Sequence, residues 1–341
     1  MILVGNEESN TIDELDARII RCLQLAPRTG FARVAAVLGV SEPTVARRYR
    51  RLTKDGSLRV KGVIDPRALG ESSWQVRVRC RPQGTNALAQ SLAARADVGW
   101  VAITAGGSEV FCAVRALSAA QRDDLLVHRL PRSTPVLGIE AAVMLHQYTS
   151  YVGHTIRAFQ DVLSDSEIAA LDAAPAPRKP TSRVRLEPHD EAILAVLARD
   201  GRASYAELAS AAAISEGRAA RALAALLAHG VVSVDVDIAP EVLGRTTRTA
   251  YWLRVTPALI DAAGAAFAAM PEVTFAAAIS GPHNLYLSVV GRDLTAVYAF
   301  LHHRVGSVDG VRSVEVSPIM RQVKQAGSLM AGDRFVVSDH L

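Results

Sequence analysis

The chain has 341 residues, half of them hydrophobic, which is too long for one ordinary domain and enough for about two to four domains with their own cores. A formal net charge of +4 and a pI of about 9.1 exclude a strongly acidic protein, but only the distribution of charge can indicate a nucleic-acid partner. Three cysteines in apolar runs, without metal-ligand spacing, exclude a disulfide framework and a zinc site. Because apolar runs stay below the ~18 residues of a membrane span and no signal-peptide pattern is present, we expect a cytoplasmic protein without a membrane partner.

The N-terminal part of the chain is predicted to form three helices and a strand. Gly39 can end the second helix, Ser41 can cap the third, and Pro43 fits the first turn of the third, where a missing N–H costs nothing. A tight turn before the last helix and an alternating strand after it are typical of a winged helix-turn-helix. The predicted elements are helices over 13–25, over 31–38 and from the cap to about 55, and a wing strand over 57–64.

Beyond Gly70 the pattern changes to alternating strands separated by two amphipathic helices. The order strand, helix, strand, strand, helix, strand is that of a ferredoxin-like split βαβ fold. The predicted strands cover 74–80, 98–104, 109–115 and 138–147, and the predicted helices cover 85–96 and 118–130.

The chain also repeats itself. At an offset of 174 residues Gly56 falls on Gly230, and with one added residue the match continues at an offset of 175, where Gln147 falls on Gln322. A period this long indicates two copies of a whole module of roughly 140 residues. The predicted fold class is therefore α+β, a tandem duplication of a winged helix-turn-helix followed by a ferredoxin-like βαββαβ domain.

A stretch rich in proline and alanine, 172–183, separates the two copies and is typical of an exposed linker. Before it, Ser164 and Glu167 stand at capping-box spacing and predict a short helix. The predicted domains are helix-turn-helix one (11–70), sensing domain one (71–150), helix and linker (151–184), helix-turn-helix two (185–244), sensing domain two (245–325) and a C-terminal tail (326–341) that includes a possible short strand at "RFVV".

Three segments, "LDARII", "LGVSEPTVARRYRRLTKDGSLRVKGVIDPRALG" and "TAGGSEVF", resemble the Lrp/AsnC (feast/famine) family of transcription regulators. The resemblance implies a head that binds double-stranded DNA and an ACT-like sensing (RAM) domain whose sheet pairs with that of a second protomer. It also implies homo-oligomers and a small-molecule effector, usually an amino acid, bound where sensing domains meet. This chain departs from the family pattern by joining two protomers in one polypeptide, which favours a built-in pseudo-dimer.

The third helix and the wing of the first copy are strongly basic, opposite an apolar face formed by Val45, Tyr49 and Leu52. A recognition helix reads bases with its N-terminal residues and holds phosphates with the rest. The alternative is an ordinary solvated helix face, but basic charge on this helix together with a basic wing favours DNA. The predicted DNA-binding residues are Thr44, Arg47, Arg48, Arg50, Arg51, Lys54, Arg59 and Lys61.

The second copy has lost most of this charge. Arg218 and Arg221 remain, but four basic positions of the helix and three positions of the wing are changed. We therefore expect the second helix-turn-helix to have largely lost DNA binding and to be kept for packing. The replacements are Ala222, Ala224, Ala225 and Ala228 in the helix and Ser233, Asp235 and Asp237 in the wing.

Glycine-containing loops, 104–109 and 279–284, stand at matching places in the two sensing domains. Glycine lets a backbone approach a ligand closely, so loop amides could hold a carboxylate and Glu109 could hold an ammonium. The alternative is a plain tight turn. The candidate effector-binding residues are Gly106, Gly107, Ser108, Glu109, Gly281, His283 and Asn284.

An enzyme is the rival interpretation. Siroheme decarboxylases resemble fused Lrp-type units and use histidines near a tetrapyrrole, and His283, His302 and His303 keep that alternative open. Such an enzyme has no use for a basic recognition helix, however. No Ser/His/Asp set, phosphate loop or metal cluster stands out, so no catalytic residue, cofactor or metal is assigned and the chain is predicted not to be an enzyme.

Overall fold

The computed structural model describes residues 12–149, 159, 161–171, 183–244 and 247–336. Apart from Arg183, the predicted linker over 172–183 lies outside these ranges. The predicted α+β duplication is confirmed, with both copies present in the same element order. The residues before the linker include α6 (Asp165–Ala170), which begins with the predicted capping box between Ser164 and Glu167.

The first head, residues 11–70, contains the predicted three helices and wing. α1 is Glu14–Leu25, α2 is Phe31–Leu38, α3 is Glu42–Lys54 and the wing strand β1 is Leu58–Ile64. Gly39 takes a left-handed conformation (φ 66°) that ends α2, and the Ser41 hydroxyl accepts a bond from the Thr44 amide at the start of α3. The second head, residues 185–244, repeats this plan with α7 (Pro188–Leu197), α8 (Tyr205–Ala212), α9 (Glu216–Ala228) and β6 (Val232–Ile238).

Each sensing domain has the predicted βαββαβ order, and in both the second helix widens into a π-helical turn. The first domain comprises β2 (Trp74–Cys80), α4 (Pro82–Ala93), β3 (Val98–Thr104), β4 (Glu109–Val114), α5 (Ala119–Asp123) and β5 (Val136–Gln147). The second comprises β7 (Thr247–Val255), α10 (Ile260–Ala269), β8 (Val273–Ile279), β9 (Leu285–Gly291), α11 (Leu294–Ala299), β10 (Val311–Pro318) and β11 (Arg321–Gln325).

The two sensing domains share one continuous sheet, with strand order β10-β7-β9-β8-β5-β2-β4-β3-β11 before the C-terminal strands. β5 pairs first with β2 of its own domain and then with β8, while β10 pairs with β7 and its continuation β11 pairs with β3. The pairings His146↔Ala278 and Arg321↔Ile103 are the same contact at an offset of 175. The fused copies therefore form a pseudo-dimer with pseudo-two-fold symmetry, as the repeat predicts.

The core between the sensing domains is aromatic. Phe111, Trp252, Phe275 and Tyr286 are buried together, with ring centroids of Trp252 and Tyr286 4.6 Å apart. Each head and each sensing domain also has a hydrophobic core, and that of the second sensing domain includes Tyr251, Phe267 and Phe300. The pseudo-dimer interface thus has a buried apolar core of its own, which fits a permanent association.

The heads are joined by a reciprocal pair of arginines that lie at equivalent positions. Arg28 donates to the carbonyls of Gly201 and Ala203, and Arg202 donates to those of Pro27 and Thr29. Each guanidinium also lies over an aromatic ring of the opposite head, 5.6 Å from Tyr205 for Arg28 and 4.6 Å from Phe31 for Arg202. These contacts fix the two heads against one another.

Replacing Arg202 with alanine should lower the free energy of unfolding by about 2 kcal/mol, because two carbonyls lose a charged donor and the rings of Phe31 and Tyr49 lose a cation. Arg202→Lys should recover little of it, since an ammonium cannot reproduce the forked geometry. Urea unfolding followed by circular dichroism measures both variants. Equal stability of Arg202→Lys and wild type would contradict this assignment.

Beyond β11 the chain adds two short strands, β12 (Ser328–Ala331) and β13 (Arg334–Phe335). The sequence predicts a strand at "RFVV", where β13 lies, but none at β12. β12 pairs with β11, and β13 leads the chain onto the first head. The Phe335 amide donates to the Gly56 carbonyl at 3.0 Å, and Arg334 donates to the Asp55 carbonyl at 3.1 Å. A methyl group at Gly56 would lie 2.4 Å from the Phe335 carbonyl oxygen, so this contact requires glycine there.

Candidate nucleic-acid and effector sites

The first recognition helix, α3, presents an exposed basic face. Arg47, Arg50 and Lys54 are exposed, and in the described part of the chain no acidic side chain lies within ion-pair distance of any of them. Thr44 is partly exposed at the N-terminal end, with its hydroxyl 2.8 Å from that of Ser41. These four side chains are therefore available to a duplex without breaking an existing ion pair.

Two other predicted DNA contacts on α3 have structural partners. Arg48 binds Asp13 and Asp16, and Arg51 binds Asp16, whose side chain is fully buried. The hydrogen bond to Asp13 and the nearby carboxylate charges raise the pKa of Arg48. These ion pairs attach α3 to the start of α1. The observed role of Arg48 and Arg51 is therefore to orient the recognition helix.

The wing differs from the expectation. Lys61 is 2% exposed and donates to the Gln325 carbonyl at 3.3 Å and to the Ser328 hydroxyl at 2.9 Å, so the prediction that it contacts phosphate is wrong. The physical reason is that β11 and β12 pack on this face of the wing, where Gln325 and Ser328 cover the ammonium. Arg59 remains partly exposed and donates to the Val336 carbonyl at 2.8 Å.

The acidic residues of the second wing are also placed differently from the expectation that they would repel DNA. Asp235 and Asp237 are both buried, and a carboxylate oxygen of Asp237 lies 3.9 Å from the Lys61 ammonium. The Gln325 amide donates to Asp237 at 2.6 Å. These carboxyls are therefore partners of the first wing, and they face away from any duplex.

The second recognition helix, α9, is exposed but nearly uncharged. Arg218 and Arg221 are exposed, whereas Ala224, Ala225 and Ala228 leave the rest of that surface apolar. Its N-terminus keeps the Ser215 cap, so the fold of the helix-turn-helix is retained without the cationic face. The contrast between α3 and α9 is what the repeat led us to expect of the two heads.

The buried wing cluster predicts an unusual pH dependence. Burial, followed by repulsion from Asp237, raises the pKa of Asp235 from an ordinary 3.8 to about 7, so the folded state binds an extra proton between these values. That contribution to stability is fully present below pH 4 and is lost as the pH rises through about 7. We expect wild type to lose stability relative to Asp235→Asn between pH 5 and 7.5 in urea unfolding. Parallel pH profiles of the two proteins would exclude the effect.

The two candidate sensing loops converge on one charged cluster. Glu109 is buried and accepts from Arg77 and from the Thr104 hydroxyl. Arg77 also binds Glu315 across the interface, and the His283 ring lies 3.8 Å from Glu315. An ammonium group could reach Glu109 only by displacing these bonds, so the role predicted for that carboxylate is not supported by its geometry.

The other loop residues are arranged as follows. Gly106, Gly107 and Gly281 have positive φ values, and a methyl group at each would meet nothing within 4 Å, so their backbone faces open space. Ser108 is exposed and donates to the Ala105 carbonyl. Asn284 has a structural role instead, because its side chain makes two hydrogen bonds to the backbone of Val255.

Sequence reasoning missed Arg77, Trp252 and Glu315, which complete this cluster. The Arg77 guanidinium lies 4.9 Å from the Trp252 ring centroid, and these two residues are equivalents at an offset of 175. A comparison of the two copies that also considered equivalent positions with different residues would have identified Arg77 and Trp252. Within the described ranges, the Trp252 Nε1 and His283 Nδ1 atoms are buried without a hydrogen-bond partner.

Metal and membrane sites receive no support from the described ranges. They contain no group of three His, Cys, Asp or Glu side chains suited to a metal ion, and none of their helices has the length and hydropathy needed to cross a bilayer. All three cysteines are buried and unpaired, as their apolar surroundings predict, and burial raises the pKa of Cys22 and Cys112 to about 12.

Comparison with known proteins matches each head and the second sensing domain. A model of the AsnC-type helix-turn-helix domain matches residues 12–53, a winged helix-turn-helix DNA-binding model matches 186–233, and the Lrp/AsnC ligand binding domain matches 251–329. An HTH-type transcriptional regulator of Pyrococcus abyssi is 30% identical over 146 residues, which make up 42% of this chain and 92% of that protein. The chain belongs to the Lrp/AsnC family.

Other Lrp/AsnC relatives match over a similar length. The regulatory protein AsnC of Escherichia coli K12 is 26% identical over 142 residues, 40% of this chain and 93% of AsnC. The siroheme decarboxylase NirDL has a crystal structure similar over 95% of both chains, with a TM-score of 0.62 and 14% identity. Single-unit relatives thus carry the sequence similarity, whereas NirDL shows that the arrangement of the whole chain exists in a solved structure.

Proposed function

We propose that the chain is a sequence-specific transcriptional regulator that binds double-stranded DNA through its first head. The observation that carries this is the exposed, unpaired cationic face of Arg47, Arg50 and Lys54 on α3. Phosphate neutralisation supplies most non-specific affinity for DNA, and the N-terminal residues of a recognition helix read base edges. Thr44 and Arg47 are the base-contacting residues in this proposal, and Arg50 and Lys54 bind the backbone.

The second head, in this proposal, contributes packing and little DNA affinity. It keeps Arg221 at the position equivalent to Arg47, but the positions equivalent to Arg50 and Lys54 are Ala224 and Ala228. One chain therefore supplies one effective recognition helix. A two-fold operator requires two chains, which is consistent with homo-oligomers in the family.

The effector, in this proposal, is a small molecule with a carboxylate, such as an amino acid, bound where the sensing domains meet. The free space beside Gly106, Gly107 and Gly281 lets a ligand approach the backbone of these loops closely. The unpartnered Trp252 Nε1 donor and the unpartnered His283 Nδ1 lie beside the same cluster, where Arg77 could exchange a carboxylate partner for the ligand. Because Arg77 contacts both copies, ligand binding there would act on the pseudo-dimer interface.

A tetrapyrrole enzyme is the second candidate, and the similarity to NirDL over the whole chain is the observation that favours it. At 14% identity that similarity concerns the fold alone. Buried aromatic side chains occupy the space between the sensing domains. His302 and His303 are exposed in the π-helical turn that follows α11. The family matches of both heads favour the regulator.

Fluorescence anisotropy tests the proposal on duplexes selected from a random library by the full-length chain. We expect binding to the selected duplex at least about 10³-fold tighter than to a scrambled one at physiological salt, with a steep salt dependence. Absorption spectra of the purified protein, with and without added siroheme, test the alternative. A Soret band that shifts on binding, without selective DNA affinity, would overturn the regulator in favour of the enzyme.

A further inference from the structure

The wings meet on the pseudo-two-fold axis through unlike charges. In the β1–β6 ladder Lys61 stands opposite Asp235, and these residues are also equivalents at the offset of 174. A residue that faces its own equivalent lies on the symmetry axis, so in a symmetric dimer of identical units that position would face itself. Here one copy supplies an ammonium and the other a carboxyl, both at most 5% exposed.

We propose that this axial charge pair specifies which units associate, so that the first unit accepts a second unit and rejects another first unit. Two first units in the same register would bury two Lys61 ammonium groups against one another. Two second units would bury two Asp235 carboxyls, whose ionisation is already opposed by burial and by Asp237 on the same face. Like charges directly opposite in a ladder are destabilising, and a buried charge without a counter-charge costs far more than an exposed one.

The surroundings make the selection strong. The groups bonded to this cluster are the Gln325 amide, which binds Asp237, and the Gln325 carbonyl and Ser328 hydroxyl, which bind Lys61. Three further charges act on it: Arg115 and Lys324 oppose the Lys61 ammonium, while Arg115 favours the Asp235 carboxylate and Arg248 that of Asp237. Because Lys61, Asp235 and Asp237 are at most 5% exposed, water screens a mismatched pair far less than it would on a surface.

A second axial contact joins unlike residues in the sensing domains. Arg77 stacks on its equivalent Trp252, and it reaches Glu315, the equivalent of Glu140. Two first units would place two Arg77 guanidinium groups together, although each could still reach a Glu140 of the other unit. The wing pair is therefore the stronger discriminator, and the sensing contact adds to it.

The consequence is that each chain closes on itself. Lrp/AsnC units associate by matching identical surfaces, and a duplicated chain with identical axial residues could equally exchange units with its neighbours. The Lys61–Asp235 pair rejects first–first and second–second combinations. Because the wings pair within one chain, association between chains must use other surfaces.

A reporter disulfide can distinguish these pairings in the full-length chain. Val60 and Val236 are opposite in the wing ladder, and the Val60 carbonyl bonds outside the ladder to the Gly201 amide, so they form a non-hydrogen-bonded pair with close side chains. Val60→Cys/Val236→Cys therefore links within one chain when the units of that chain pair. It links two chains when they exchange units.

For the test, two reporter chains that carry different affinity tags are co-expressed, purified through each tag and oxidised. Non-reducing gels then separate chains linked within themselves from chains linked to one another. For wild-type axial residues we expect links within single chains. For a Lys61→Asp chain with an Asp235→Lys chain, exchange creates two opposite-charge ladders, and we expect at least about fivefold more links between tags. Combining both changes in one chain should restore links within that chain.

Lys61→Met is the matched control, because it loses the same bonds to Gln325 and Ser328 without placing a carboxylate opposite Asp235. If Lys61→Asp alone links within its own chain as fully as Lys61→Met, the charge does not select the partner and the proposal fails. It fails equally if the mixed pair exchanges no more than wild type. Should the single variants be recovered folded only when co-expressed, that rescue supports the proposal, and failure of every combination to fold would overturn it.

Discussion

Replacing Trp252 with alanine is expected to destabilise the protein by about 3–5 kcal/mol, the range for removing a large buried aromatic side chain. Trp252 is 2% exposed, its ring lies 4.6 Å from Tyr286 and 5.5 Å from Phe111, and Arg77 stacks on it from the first unit. The change would leave a cavity in the shared core and remove the cation–π contact across the units. Calorimetry or urea unfolding of the full-length chain measures the loss.

Trp252→Phe is the control for this prediction, because it keeps most of the buried aromatic area and should cost about 1–2 kcal/mol. If the alanine variant were no less stable than the phenylalanine variant, the buried aromatic cluster between the sensing domains would not contribute to stability as described above. Loss of secondary structure only in the sensing domains would also show that the heads remain folded without it.

Replacing Asp16 with alanine is expected to cost about 3 kcal/mol, because the change leaves Arg48 and Arg51 beside a buried site without their shared carboxylate. The two guanidinium groups are 20% and 39% exposed, which holds the effect at the lower end of the range for broken buried pairs. DNA affinity should fall as well, since α3 loses its attachment to α1. Urea unfolding and anisotropy on the same samples measure both effects.

The second unit offers a matched control in Asp190, which is equivalent to Asp16, because the positions equivalent to Arg48 and Arg51 are Ala222 and Ala225. Asp190→Ala removes a capping contact with the Glu187 amide and should cost about 1 kcal/mol, with little effect on DNA binding. Equal losses for Asp16→Ala and Asp190→Ala would mean that the arginine pairs contribute nothing beyond helix capping.

Much of the fold follows from local pattern. The alternation of 74–80 and the helical period of 31–38 each predict an element whose ends the structure reproduces, because burial on one face constrains every second or every third to fourth residue. The pseudo-dimer follows from the repeat, since two matching sheet domains in one chain can cover one another. Even the short helix before the linker follows from its capping box.

The fate of individual charges depended on contacts that are distant in the chain. The local sequence predicts Lys61 to lie on an exposed basic wing, but Gln325 and Ser328 of the distant strands β11 and β12 cover it, and no local pattern predicts that contact. Arg48 and Arg51 form ion pairs that were more predictable from the sequence. They stand three residues apart, as do their partners Asp13 and Asp16, so facing helices could have been inferred from matched spacing.

The central claim, that the first head alone holds DNA, is tested most directly by comparing pairs of exposed arginines on the two recognition helices. Salt titrations by anisotropy on a selected duplex would compare wild type, Arg47→Ala/Arg50→Ala and Arg218→Ala/Arg221→Ala. All four arginines are exposed, so neither double variant is expected to disturb the fold. The account predicts that the first pair weakens binding by about 100-fold and flattens the log–log salt slope by up to about 2, while the second pair changes both little. Equal losses for the two pairs would contradict it and show that both heads hold the duplex.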